Sequence, residues 1–254
     1  MDIDAIKSRL NQLQNTTSTN FWKPQPGKSQ VRIVSYTHDK NNPFSELFFH
    51  YSLIPNKTVV SPLSFGRPDP VQQFADKLKS SGNREDWRLG KKLEAKLRTF
   101  APVVVRGEES GGTKFWGFGK TVYQELLSLI ADPDYGDISD PVNGRDVVVE
   151  FKTAEETGAS FPKTSIRVKP NQIPITEDKA VLTDLLDNQK DIREVYNELT
   201  YDELAEALGD WLNPSDGEEE TTKTDTTNVP ASTLKSAVSS TSNVTDAFDD
   251  LFNK

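Results

Sequence analysis

Residues 96–119, KLRTFAPVVVRGEESGGTKFWGFG, limit the fold more than any other stretch of the chain. Ala101–Arg106 is an apolar run rich in β-branched residues, Glu108–Thr113 is Gly-rich, and Lys114–Gly119 is a second short apolar run. Two such runs around a Gly-rich turn predict a β-hairpin over Phe100–Gly119. If Lys96–Phe100 is also extended, Lys96, Arg98 and Phe100 share one face of the strand. Across Lys91–Lys120 the cations Lys91, Lys92, Lys96, Arg98, Arg106, Lys114 and Lys120 interleave with the rings Phe100, Phe115, Trp116 and Phe118. A groove for single-stranded nucleic acid needs both types. Cations neutralise phosphates and release counterions. Rings stack on unpaired bases, at roughly 1–3 kcal/mol per base. Taken singly, each ring suits a core and each cation suits solvent; the alternation of the whole stretch favours a groove.

The flanking sequence extends the β reading. Ser29–Tyr36 alternates, with Val31 and Ile33 on one face and Arg32 on the other, and Phe44–Leu53 is a second, aromatic-rich strand. Asp146–Lys152 and Thr164–Lys169 are further strands. Val71–Leu78 has helical apolar spacing, as does Thr121–Ile130, whose stripe is Val122, Leu126, Leu129 and Ile130. Trp87–Leu97 is amphipathic but contains Gly90, which weakens a helix. Val181–Leu186, Ile192–Leu199 and Tyr201–Leu212 are helical segments, and Thr200 with Glu203 forms a capping box for the last. The expected fold class is mainly β with α: a small closed OB-type β-barrel, an attached subdomain over about residues 44–80, and a helical C-terminal segment.

Composition narrows the function. The chain has no Cys and only two His, which excludes disulfides and Cys-ligated metals and leaves little for a triad. No apolar run approaches the roughly 20 residues of a membrane span. The N-terminus is polar, without a signal-peptide core. A cytoplasmic location is expected, in the host cell if the protein is viral. Gly119-Lys120-Thr121 ends like a phosphate loop, but Lys114 stands where that loop needs Gly. Asp132, Asp134, Asp137 and Asp140 lack the Gly and Glu of a calcium loop. Neither supports an enzyme.

The net charge of −9 is unevenly spread. Residues 1–170 hold 24 Lys and Arg against 20 Asp and Glu, whereas residues 171–254 hold 6 against 19. A mildly basic body with an acidic extension suggests a binding core and an interaction tail. Beyond Pro214 the sequence is acidic, then Ser/Thr-rich, and lacks the apolar residues needed to fold alone. It closes on VTDAFDDLFNK, where Phe248, Leu251 and Phe252 stand among Asp246, Asp249 and Asp250. In form this is a docking peptide on a disordered tether. When the basic groove is empty, the acidic tether is expected to compete for it.

Four blocks carry a family resemblance: FWKPQPGKSQVRIVSY; PFSELFFHYSL followed by RPDPVQQFADKL; RTFAPVVVRGEESGGTKFWGFGKTVYQELL; and DAFDDLFNK. In these the chain resembles the helix-destabilising, single-stranded DNA-binding proteins of T-even-like bacteriophages, of the cyanophage type. The resemblance covers roughly residues 20–212 in order and spacing, and its third block is the most specific. It implies an N-terminal arm for cooperative binding over residues 1–20, with Lys7 and Arg9 as its cations. It implies an OB-fold core with its subdomain over 21–212 and an acidic tail over 213–254. That tail would contact replication and recombination proteins of the polymerase, helicase-loader and recombinase types.

Position by position, the resemblance places Arg32, Lys96, Arg98, Phe100, Trp116, Phe118 and Phe161 in the DNA cleft. Charge and strand position add Lys91, Lys92, Arg106, Lys114, Lys120, Lys163 and Arg167, and Phe115 belongs to the same aromatic set. The chain departs from the family at its zinc module. His50 occupies the His position, but Asp69 and Gln72 stand where paired Cys belong, so no metal or other cofactor is expected. The function expected is non-catalytic coating of single-stranded DNA in replication, recombination and repair, with self-association along the strand. A single-stranded RNA binder uses the same chemistry. An acidic scaffold or DNA-mimic inhibitor built on the C-terminal half is the rival from another class.

Overall fold

The computed structural model describes residues 20–39, 41–196 and 198–213, with Val244, Phe248, Leu251 and Phe252 near the C-terminus. Its strands are β1 (Phe21–Trp22), β2 (Gly27–Ile33), β3 (Ser45–Ile54), β4 (Lys57–Val60), β5 (Lys96–Val105), β6 (Lys114–Phe118), β7 (Arg145–Lys152) and β8 (Lys163–Gln172). The helices are α1 (Pro70–Ser80), α2 (Arg84–Leu93), α3 (Lys120–Ala131), α4 (Ala154–Thr157), α5 (Lys179–Asp187), α6 (Ile192–Val195) and α7 (Tyr201–Leu212). The fold is therefore mixed α/β. Its eight strands form one mostly antiparallel sheet in the order β1-β6-β5-β2-β7-β8, with β3 paired to β4 and β5. The closed barrel expected from the sequence is not what forms: β1 and β8 are open edges.

The chain divides into two compact units, Met1–Glu46 with Arg98–Val195, and Leu47–Leu97 with Tyr196–Lys254. In the first, the predicted hairpin pairs β5 with β6 in the register Ala101↔Trp116 and Val103↔Lys114. Alternation then sends Ala101, Val103, Trp116 and Phe118 to one face. They pack there with Val31, Ile33, Val147, Val149, Ile166 and Val168, and with Val122 and Leu126 of α3. On the opposite face, Val34 and Val104 are covered by Ile175 and by Leu185 of α5.

The second unit is built on α1, α2 and α7. Asp69 caps α1 by accepting from the Gln72 amide, and Pro70 follows as the first helical residue, where a missing N–H costs nothing. The i, i+3, i+4, i+7 stripe Val71, Phe74, Ala75 and Leu78 is buried. The weak helix expected over Trp87–Leu97 is instead α2, ending at Leu93, with Lys96 and Leu97 already in β5. Asn83 caps it by accepting from the Glu85 amide, and acidic residues fill its first turn and Lys91 and Lys92 its last, as the helix dipole favours. Gly90 is a packing requirement and no weakness. A Cβ there would lie 2.5 Å from the Ala75 carbonyl oxygen of α1. The predicted capping box of α7 is present, with the Thr200 hydroxyl accepting from the Glu203 amide and Glu203 accepting from the Thr200 amide.

Among the described residues, no helix is long and apolar enough to cross a membrane.

Candidate nucleic-acid interface

Arg98 and Phe100 project from the face of β5 opposite the core, flanking Gly117 of β6. Gly117 is what lets them lie there, since a Cβ would come within 2.8 Å of the Phe100 ring. The Arg98 guanidinium donates to the Gly117 carbonyl (2.9 Å) and remains exposed. Phe100 is buried, with its ring centroid 6.1 Å from that of Phe21. Phe115, two register positions away on the same face, packs against Phe21 and edge-on to Tyr36. Burial pushes the Tyr36 phenol up to about 12.

Several residues expected in the cleft prove to be structural. Trp116, 1% exposed, and Phe118 fill the sheet's apolar core, so neither offers a face to a base. Phe100 and Phe115 are nearly as buried. Arg32 is 0% exposed. Its Nε donates to Asp146 Oδ1 (3.0 Å), and its remaining nitrogens donate to the Asp140 and Ile173 carbonyls. Arg106 joins the same carboxylate from the other side, at 2.9 and 2.7 Å, and donates to the Pro174 and Ile175 carbonyls. Gln30 also donates to Asp146. Burial alone would raise the Asp146 pKa; the hydrogen bonds from Arg106 and Gln30 and the charges of both arginines hold it below the ordinary carboxylate value. Strand alternation correctly puts Arg32 off the core face. It could not show that a carboxylate distant in sequence would claim it.

Lys114 is half-buried and paired with Glu108 at 3.0 Å. Lys120 is exposed at the first turn of α3.

The outer face of the β7–β8 hairpin, towards its connecting segment, keeps the character expected of the cleft. Register pairs Lys152 with Lys163 and Val148 with Arg167, and pairs Lys28 with Glu150 and Gln30 with Val148. Lys28, Lys152, Lys163 and Arg167 therefore share the face opposite the core valines. Like charges directly across two strands repel. Lys152 is relieved by Glu150 at 3.5 Å, but Lys163, Arg167 and Lys28 have no ion-pair partner among the described residues. Phe161 stands in the connection between the two strands, 50% exposed. Lys28 and Lys152 were missed by sequence reasoning. The signal available for Lys152 was its place at the end of a strand whose partner begins with Lys163.

In the second unit Lys91, Lys79 and Lys96 surround Glu94, at 2.9, 3.2 and 3.3 Å. Burial would raise the Glu94 pKa, but hydrogen bonds from the three ammoniums bring it down to about 2. Lys91 also lies 5.9 Å above the Trp87 ring, which is 46% exposed. Lys92 has its pKa lowered by burial. Trp87 was not anticipated. Its signal was an aromatic residue on the polar side of an amphipathic helix.

His50, Asp69 and Gln72, at the positions where the resemblance puts metal ligands, bond to one another and to backbone. His50 Nε2 is 2.8 Å from Asp69 Oδ2 and Nδ1 is 2.8 Å from the Leu93 carbonyl, so both ring nitrogens face protein acceptors. Asp69 accepts also from the Ser61 hydroxyl and the Gln72 amide, and Gln72 Oε1 accepts from the Ala95 amide (2.9 Å). Burial opposes the Asp69 charge, but these donors hold its pKa below the ordinary value. These residues do not fit zinc: no nitrogen is spare and no thiolate exists. Among the described residues no cluster of three or more His, Asp or Glu could hold a metal ion.

Lys7 and Arg9, and Asp246, Asp249 and Asp250, lie outside the described residues. The apolar members of the tip are described. Val244 is buried, and Phe248, Leu251 and Phe252 pack on the core of the second unit. No protein-family model matches this chain, and no curated protein matches it.

Proposed function

We propose that this chain is a non-catalytic single-stranded DNA-binding protein of the helix-destabilising type. It would coat and protect strands exposed in replication, recombination and repair, and recruit replication proteins through its acidic C-terminus. The observation that carries the reading is the β7–β8 face: exposed Lys163 and Arg167, two lysines held opposite one another, and an exposed ring, Phe161, in the connection that leads into β8. Cations facing each other across a strand pair are stabilised by a polyanion laid between them. Rings within reach add base stacking without sequence preference. Arg98, anchored by the Gly117 carbonyl, supplies a further cation on the non-core face of the sheet.

The strand order β6-β5-β2-β7-β8, with α3 between β6 and β7, supports an OB-type core, which is five-stranded and partly open. The inserted β3–α2 segment would then be the family's subdomain, locked by hydrogen bonds in place of a metal. Titration with oligo(dT), oligo(U) and duplex DNA of equal length, followed by fluorescence anisotropy, tests the proposal. Tight oligo(dT) binding with weak duplex binding is expected. Equal affinity for duplex would refute it, and preference for oligo(U) would redirect it to RNA.

A further inference from the structure

The C-terminal tip is seated as a ligand. Val244, Phe248, Leu251 and Phe252 are all helical and fall at i, i+4, i+7 and i+8, which is one apolar stripe of a helix. The stripe lies on a surface made by Val71, Phe74, Ala75 and Leu78 of α1 and Leu204, Leu208 and Leu212 of α7. The Phe248 ring meets Phe74 edge-on at 6.2 Å and Phe252 at 4.8 Å. A Cβ at Gly209 of α7 would lie 3.6 Å from the Phe248 ring, in ordinary van der Waals contact, so the ring sits directly over this position.

Residues 214–243 separate this ligand from the helix it docks on. We propose that the groove between α1 and α7 also accepts the tip of a second copy of the chain, so that exchanged tips link neighbouring molecules. An exchanged tip makes the same contacts as the chain's own. Only the tether favours the chain's own tip. A flexible covalent linker supplies an effective concentration in the millimolar range. The tip is seated at that concentration, so its intrinsic dissociation constant lies below it. A groove deprived of its own tip must then capture another by about 1 mM. The inference does not rest on DNA binding and its test contains no DNA.

Two full-length variants test it by complementation. Phe248→Ala with Phe252→Ala removes the ligand and leaves the groove. Gly209→Leu places a bulky side chain where the Phe248 ring is the nearest neighbour and leaves the ligand. Circular dichroism and thermal melting confirm folding, with Gly209→Met as a second groove block. In sedimentation velocity each variant alone should remain monomeric, and the equimolar mixture should form a heterodimer as concentration approaches about 1 mM. A mixture that sediments as monomers throughout that range would overturn the proposal and leave the tip as an internal latch.

Discussion

Asp146 is a carboxylate with no access to water, held between the guanidiniums of Arg32 and Arg106. Removing one member of such a buried pair costs far more than the pair contributes, because the survivor keeps its desolvation penalty. Asp146→Ala should therefore destabilise the fold by about 3–5 kcal/mol in urea denaturation. A loss under about 1 kcal/mol would mean that water reaches Arg32. The pH dependence has a definite sign. The folded-state pKa of Asp146 is below its ordinary 3.8, so its stabilisation is complete above that value and is lost as pH falls through the folded one. The variant should show a shallower acid limb. Exposed residues should behave differently. Arg98→Ala and Lys163→Ala should each leave the melting temperature unchanged, lower affinity for oligo(dT), and reduce the salt slope by about one phosphate contact. An unchanged slope for either removes that residue from the interface. Phe161→Ala should weaken binding by about 1–3 kcal/mol through lost stacking, read by anisotropy at fixed salt.

Between the elements, the hydrogen bonds joining β3, the start of α1 and the end of α2 through His50, Asp69, Gln72 and the Leu93 carbonyl do the work expected of a metal clamp. Chelation should leave the melting temperature and oligo(dT) binding unchanged, whereas His50→Ala, which strips a buried Asp69 of its main donor, should cost about 3 kcal/mol or more. Metal analysis finding one tightly bound zinc per chain would contradict this account. Helices and strands at this level were legible in the sequence because period and capping are local: α1, α3, α7 and the β5–β6 hairpin fall where apolar spacing puts them. Three short elements, β1, β4 and α4, were not foreseen, since two to four residues carry no period. The use of each face was also illegible. Phe100, Phe115, Trp116 and Phe118 read as a stacking platform because rings and cations alternate there. In the fold, pairing to β1 and packing under α3 turn those rings inward. The cations that survive as candidates are the exposed ones on the non-core face: Lys28, Arg98, Lys152, Lys163 and Arg167.

At the scale of the whole molecule, residues 1–170 carry a small excess of cations and residues 171–254 an excess of anions. Deleting residues 214–254 should tighten oligo(dT) binding, most at low salt where screening is weak, and should abolish partner recruitment. Equal affinity of the shortened and full chains at low salt would show that the extension exerts no electrostatic competition. The described part of the tip rests on α1 and α7 of the second unit, so any such competition comes from the acidic residues and not from Phe248 or Phe252. The clamp around His50 bears on redox chemistry as well as on stability. A clamp built on cysteine ligands would expose the fold to oxidation. This chain contains no cysteine and one methionine, Met1, and its clamp is made of nitrogen and oxygen alone. Peroxide has no thiol to convert.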